Sequence, residues 1–192
     1  PRLERQGKAR PYIGGLSMEW IMLGIVVIVL LAVILIYNRL VSLRASCRQG
    51  WADIDAGLRQ RHDLIPNLVS TVQGYAAHEK SALEAVIAAR GRALAAHGPA
   101  EAQGAEMALG GALKNLFALA EAYPDLKANT NFQTLQHELA DVEDKLAAAR
   151  RAYNAASADY NAGIESFPAV LFAGALGFKP QGFWELGSDE RA

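Results

Sequence analysis

The chain has almost no cysteine and almost no strand signal. Cys47 is the single cysteine among 192 residues, so no internal disulfide framework can hold this chain. It sits among apolar neighbours at helical spacing and reads as a small buried hydrophobe rather than a reactive thiol. A single cysteine gives no information about the compartment. Alternating runs of β-branched residues are missing outside one apolar segment, while Ala, Leu, Glu, Gln and Arg dominate, which points to an all-α protein. Neither charge is in excess. The 19 Lys and Arg balance 20 Asp and Glu, for a net charge of −1. This leaves no general pull toward nucleic acid. Missing too are a glycine-rich phosphate loop and a G-x-S-x-G nucleophile turn. His78-Glu79 and His137-Glu138 do not make a zinc helix, which needs a second histidine four residues on; those positions hold Ala82 and Asp141. His62-Asp63 also lacks such a partner. No cofactor is therefore expected, and a zinc site assembled across helices stays open only as an alternative.

What the chain does have is one long apolar run, Trp20 to Tyr37, of 18 residues without a charge. At a helical rise of about 1.5 Å it spans about 27 Å, close to the hydrocarbon core of a bilayer. Inside lipid the backbone must satisfy itself, so the run is expected to be a transmembrane helix over 18–38 with Trp20, Leu23, Val27, Leu30, Ile34 and Tyr37 in the membrane. A cleaved signal peptide is the rival. Its apolar core is usually about 7–15 residues and ends at a small-x-small site, whereas this run is longer and continues into Tyr37-Asn38-Arg39-Leu40. Residues 1–17 carry Arg2, Arg5, Lys8 and Arg10. They are either a disordered basic leader or a non-native extension ahead of Met18. The choice changes the charge balance across the span, so the side of the membrane stays open.

After the anchor, apolar residues keep a 3-4 spacing: Cys47, Trp51, Ile54, Leu58, then Ile65, Leu68, Val72 and Tyr75. One helix is expected to leave the membrane and continue to about Leu94, with a kink or restart near Asp63–Pro66 because proline removes a hydrogen bond. Ala96-His97-Gly98-Pro99 is the break. A second helix is expected over about Ala100–Tyr123, with Gly110-Gly111 as a close-packing point. Pro124 ends it, and Thr130 or Asn131 caps the third. That third helix, to about Ser166, carries a coiled-coil seam of Phe132, Leu135, Leu139, Val142, Leu146, Ala149, Tyr153, Ala156 and Tyr160. Together 39–166 reads as an antiparallel three- to four-helix coiled-coil bundle. Within the tail, 167–192, the stretch Val170–Phe178 is apolar but too short to cross a bilayer. It is expected to cover one bundle end, or else to offer a membrane or subunit contact through Phe172, Phe178, Phe183 and Trp184.

One polar set breaks the apolar pattern. Arg61 and Glu79 fall on the core-facing stripe, with Asp55, Asp63 and Asn67 on neighbouring faces, and Asn154 and Asn161 repeat one heptad apart. Buried groups of this kind must be paired. The expectation is a register-fixing network in which Arg61 or Asp63 pairs with Asn154 or Asn161; the alternative is a ligand site.

Several ordered motifs resemble one family. They are Tyr37-Asn38-x-Leu40-Val41, Trp51-x-x-Ile54-Asp55, Arg61-x-Asp63-Leu64-Ile65-Pro66-Asn67-Leu68-Val69, Gly74-Tyr75-Ala76-x-His78-Glu79 and Glu121-Ala122-Tyr123-Pro124-Asp125-Leu126-Lys127-Ala128. Tyr153-Asn154, Tyr160-Asn161 and Phe167-Pro168 follow. The pattern from Met18 to Glu185 resembles the LemA family. That resemblance implies a single-pass protein of the bacterial inner membrane with a helical bundle, and a link with membrane proteolysis and envelope stress. It supplies no reaction. The expected function is a non-enzymatic, membrane-anchored coiled-coil scaffold or adaptor that forms a homo-oligomer or binds a membrane-protein partner. The alternative is a ligand- or metal-binding sensor or enzyme using the cluster around Arg61, Asp63 and Asn154.

Overall fold

A computed structural model describes residues 18–184, and the described residues are all-α. The basic leader over 1–17 and the end of the tail beyond Trp184 lie outside the described residues. The chain divides into two units at Arg39–Leu40.

The first unit contains the apolar part of helix α1, whose full range is Met18–Tyr75. Here an 18-residue window reaches a mean hydropathy of 3.1, and none of it is buried. Trp20, Leu23, Val27, Leu30, Ile34 and Tyr37 are between 41% and 66% exposed. The segment is long and apolar enough to cross a membrane. Bare apolar side chains all around a helix are stable only in an apolar medium.

The second unit is the bundle. From Leu40 to Tyr75, α1 runs antiparallel to α5 (Thr130–Glu165). The pairing is close because glycine stands where the helices touch. A Cβ on Gly50 would lie 3.0 Å from the Tyr153 Cα, and one on Gly57 would lie 2.7 Å from the Leu146 side chain. Helix α2 (Lys80–Ala95) folds back along α1 and α3 (Gly98–Ala120) follows it. The short α4 (Pro124–Lys127) leads to α5. Ile65, Leu68 and Val72 of α1, Val86 of α2, Leu109, Leu113 and Leu116 of α3, Leu126 of α4 and Phe132 of α5 share one core. Ile54, Leu58, Val142, Leu146, Tyr153 and Trp184 form a second.

Two boundaries and one packing point differ from expectation. The helix that continues from the apolar run stops at Tyr75 instead of about Leu94. A turn over 76–79, with Ala76 buried, sends α2 back. A helix continuing straight would leave Leu83, Val86, Ala89 and Ala93 in water; reversal buries all four. The α5 cap is Asn129, whose side chain accepts from the Phe132 N–H at 3.0 Å, not Thr130 or Asn131. Of Gly110-Gly111, only Gly110 has a neighbour where a Cβ would stand, the Arg61 guanidinium at 3.6 Å.

Pro66 does not restart the helix, and α1 passes through it unbroken. The bond that proline cannot make would have ended on the His62 carbonyl, four residues back. That oxygen instead accepts from Arg90 Nε of α2 at 2.8 Å. The lost helical bond thus becomes an interhelical one.

Two substitutions test the packing. Gly50→Ala forces a methyl against the Tyr153 backbone and should cost about 1–3 kcal/mol. Gly111→Ala, where a Cβ meets open space, should gain about 0.5–1 kcal/mol. Urea unfolding in mild detergent reads both; equal effects at the two sites would contradict the close α1–α5 approach. A double-mutant cycle tests the proline bond. Arg90→Met should cost about 1–3 kcal/mol in the Pro66 background, and much less in Pro66→Ala, where an amide again serves the His62 carbonyl.

Candidate functional site

The polar centre of the bundle is built around one turn of α1. Arg61 and His62 are 5% and 4% exposed, on a helix face that packs against three others. His62 Nε2 lies 2.6 Å from Glu106 Oε1 of α3, and Glu106 is as buried as the histidine. Arg61 Nη1 donates to Glu143 Oε2 of α5 at 2.8 Å, and its Nη2 stands 3.6 Å from Glu106 Oε2. Arg150, one heptad after Glu143, donates to the other Glu143 oxygen at 3.0 Å. Glu143 is half-exposed, so its two arginines are partly screened by water. Glu106 is enclosed, and its pairing is the demanding one. Arg61 Nε and His62 Nδ1 are buried without a hydrogen-bond partner. With Arg90 on the His62 carbonyl, this turn touches α2, α3 and α5.

The second polar feature is a clamp on the tail. Asn154 donates to the Trp184 carbonyl and accepts from the Trp184 N–H, both at 2.8 Å. Asn161 does the same with Gln181, both at 2.9 Å. Each amide therefore satisfies both backbone groups of one tail residue, as a neighbouring strand would. The Tyr153 hydroxyl adds a bond to the Gly182 carbonyl at 3.1 Å. Trp184 ends buried, stacked on Trp51 at 5.9 Å and lying under Arg150 at 5.7 Å.

These geometries correct the expected network. Arg61 and Asp63 do not pair with Asn154 or Asn161. Asp63 and Asn67 are exposed, because positions 63 and 67 fall on the outer face once 61, 62, 65 and 68 turn inward. Asp55 forms an ordinary surface pair with Arg59. Glu79 accepts from the Tyr123 hydroxyl at 3.0 Å, closing the turn between α1 and α2. The cluster around Arg61, Asp63 and Asn154 is therefore not one site. In the tail, Phe178 and Trp184 are buried, Phe172 is half-buried and Phe183 is 52% exposed. Beside Phe183, an open groove of about 590 Å³ runs between α3 and the tail, lined by Gln103, Met107 and Tyr153 among others. Among the described residues no group of three or more His, Cys, Asp or Glu is placed to hold a metal ion.

His62, Glu106, Glu143, Arg90 and Arg150 were missed by sequence reasoning. The signal was present for two of them. Glu106 interrupts the Ala102, Leu109, Leu113 stripe of α3, and Arg150 fills a seam position between Leu146 and Tyr153.

Among the described residues, three groups titrate away from their ordinary values. Burial pushes the Cys47 thiol up, while its Sγ–H donates to the Ala156 carbonyl at 3.2 Å. Burial likewise raises Tyr160. Tyr123 is raised chiefly by its hydrogen bond to Glu79, since a phenolate would face a carboxylate.

A family model described as LemA family matches residues 50–192. Magnetosome protein MamQ of Magnetospirillum gryphiswaldense is 28% identical over 169 aligned positions, covering 74% of this chain and 62% of that protein. Magnetosome proteins MamQ 1 and MamQ 2 of Paramagnetospirillum magneticum are each 26% identical over the same shares. The chain thus spans about 62% of the length of these curated relatives.

Removing the Glu106 carboxylate strips the buried His62 of its partner and leaves Arg61 with the Glu143 carboxylate alone. Glu106→Ala should cost about 3–5 kcal/mol, whereas Asp63→Ala, on the outer face, should stay within about 0.5 kcal/mol. Denaturant midpoints decide; equal losses would refute the assignment. For Tyr123, the folded-state pKa lies above its ordinary value of 10.0. Its contribution is present below that value and is lost as pH rises through the raised one. NMR titration should find Tyr123 deprotonating at lower pH in Glu79→Gln than in the parent. No change there would show that Glu79 is not the cause.

Proposed function

We propose, from the premise that this chain belongs to the LemA family, that it is a single-pass, membrane-anchored scaffold that self-associates through its bundle. The observation that supports this reading is where apolar side chains remain uncovered. One set is the segment over 18–37, whose exposed residues suit lipid. The other lies on the bundle surface. Ile87 and Leu94, seven residues apart on α2, are 55% and 52% exposed, and Met107 of α3 is 63% exposed. Residues seven apart share a helix face, so Ile87 and Leu94 form one apolar stripe. Such a stripe suits the same stripe on a second copy, related by a two-fold axis.

The charged groups, by contrast, serve one another inside the bundle and hold its helices in register, which suits a non-enzymatic role. A bacterial inner membrane is the location proposed for the anchor. The names of the curated relatives place them with the magnetosome and specify no reaction, which fits a structural or adaptor role.

The mass of the detergent-solubilised full chain, by size exclusion with light scattering, tests this. A defined oligomer is expected, and Ile87→Glu should reduce it to a monomer without loss of helical content. A parent that is monomeric at all concentrations would overturn self-association.

A further inference from the structure

We propose that the loop from Ser166 to Phe178 is a second membrane contact, which lies in the lipid surface; this rests on the reading of 18–38 as a transmembrane helix. The loop is ordered by its own backbone. Val170 N–H bonds the Ser166 carbonyl at 2.9 Å, Ala173 that of Ala169 at 2.8 Å and Phe178 that of Ala173 at 3.0 Å. Gly177, at a φ of 78°, makes the turn that lets Phe178 re-enter. Ala169, Ala173 and Phe178 point inward and are at most 4% exposed. Phe167, Val170, Leu171 and Leu176 point outward, at 81%, 51%, 74% and 46%. A well-ordered loop that shows large apolar groups to the outside needs an apolar partner there.

Two contacts fix which end of the bundle carries it. Before the loop, Gly163 packs where a Cβ would lie 2.9 Å from Leu43 and 3.3 Å from Leu40. After the loop, the Phe178 ring lies under Arg44 at 4.9 Å. The loop thus belongs to the Leu40–Arg44 end. Leu40 follows Tyr37, the last residue of the apolar run, by three residues. Even a fully extended chain covers only about 10 Å in three residues. A chain that spans a bilayer up to Tyr37 therefore keeps Leu40 within about 10 Å of the lipid surface.

The chemistry fits lipid over a protein partner. Arg44 sits over Phe178, and Arg48 and Lys179 are exposed toward the same end, where the acids are Glu165 beside the loop and Asp159 facing Cys47. Basic groups flanking aromatic and aliphatic tips match anionic headgroups above acyl chains. Insertion of the tips to about 5–10 Å would cover them.

Nitroxide labels on the full chain in phosphatidylglycerol vesicles test the contact. Single cysteines replace Leu171, Val27 and His78 in a Cys47→Ala background. Val27 reports the span, and His78 reports the turn between α1 and α2. The proposal expects the Leu171 label to collide freely with oxygen and severalfold less with a water-soluble nickel chelate than the His78 label. If Leu171 matches His78 while Val27 stays protected, the anchor stands and the loop contact is refuted. If Val27 is itself open to the chelate, the spanning reading falls, and this inference with it. Spin–spin broadening at Leu171 with low oxygen access would mean that a second copy covers the loop, which also overturns the proposal.

Discussion

Between Arg61 and Pro66, α1 brings two polar side chains and one bare carbonyl into the interior of the bundle. None of these groups can be satisfied within the helix. An uncompensated buried charge or carbonyl costs several kcal/mol, a large part of the stability of a typical domain, about 5–15 kcal/mol. The other helices are held to positions that meet these demands. Helix α3 must bring Glu106 to His62, α5 must bring Glu143 to Arg61, and α2 must bring Arg90 to the carbonyl that Pro66 leaves free. Apolar packing alone would allow neighbouring registers of nearly equal energy, because Leu and Ala stripes interlock in more than one way. The polar turn removes that freedom.

The same logic governs the tail. Its backbone beyond Phe178 lies outside any regular element, so its N–H and C=O groups need partners from elsewhere. Asn154 and Asn161, one heptad apart on α5, supply two each. This holds Trp184 in the second core and pins the loop from Ser166 to Phe178 to the Leu40–Arg44 end of the bundle. Two polar devices, one at the crossing of α1 and one along α5, thus set the positions of the surfaces to which function is assigned here.

Helical periodicity and proline positions were enough to read the all-α class and the long apolar helix, because those features depend on local spacing; along α5 the buried positions include Arg150 and Ser157 in place of the expected Ala149 and Ala156. The reversal after Tyr75 was not legible. Residues 80–95 continue the apolar pattern of α1 at compatible spacing, and only a neighbour in space favours the turn. At Pro66 no restart occurs, for a related reason: the proline's penalty is local, whereas the Arg90 bond that offsets it comes from 24 residues away. The candidate site was half legible. Arg61 stood out on the core stripe, and Asn154 and Asn161 stood out as a repeat. Their partners did not, since a sequence shows that a buried group needs a partner and not which helix brings it.

Native-state hydrogen exchange of the full chain carrying Glu106→Gln tests the central claim most directly. If one turn of α1 sets the register of the bundle, weakening its contact to α3 should lower amide protection together in the Arg61–Val72 stretch, in α2, in α3 and in the facing half of α5. Loss of protection confined to α3, with the other helices as slow as in the parent, would contradict it.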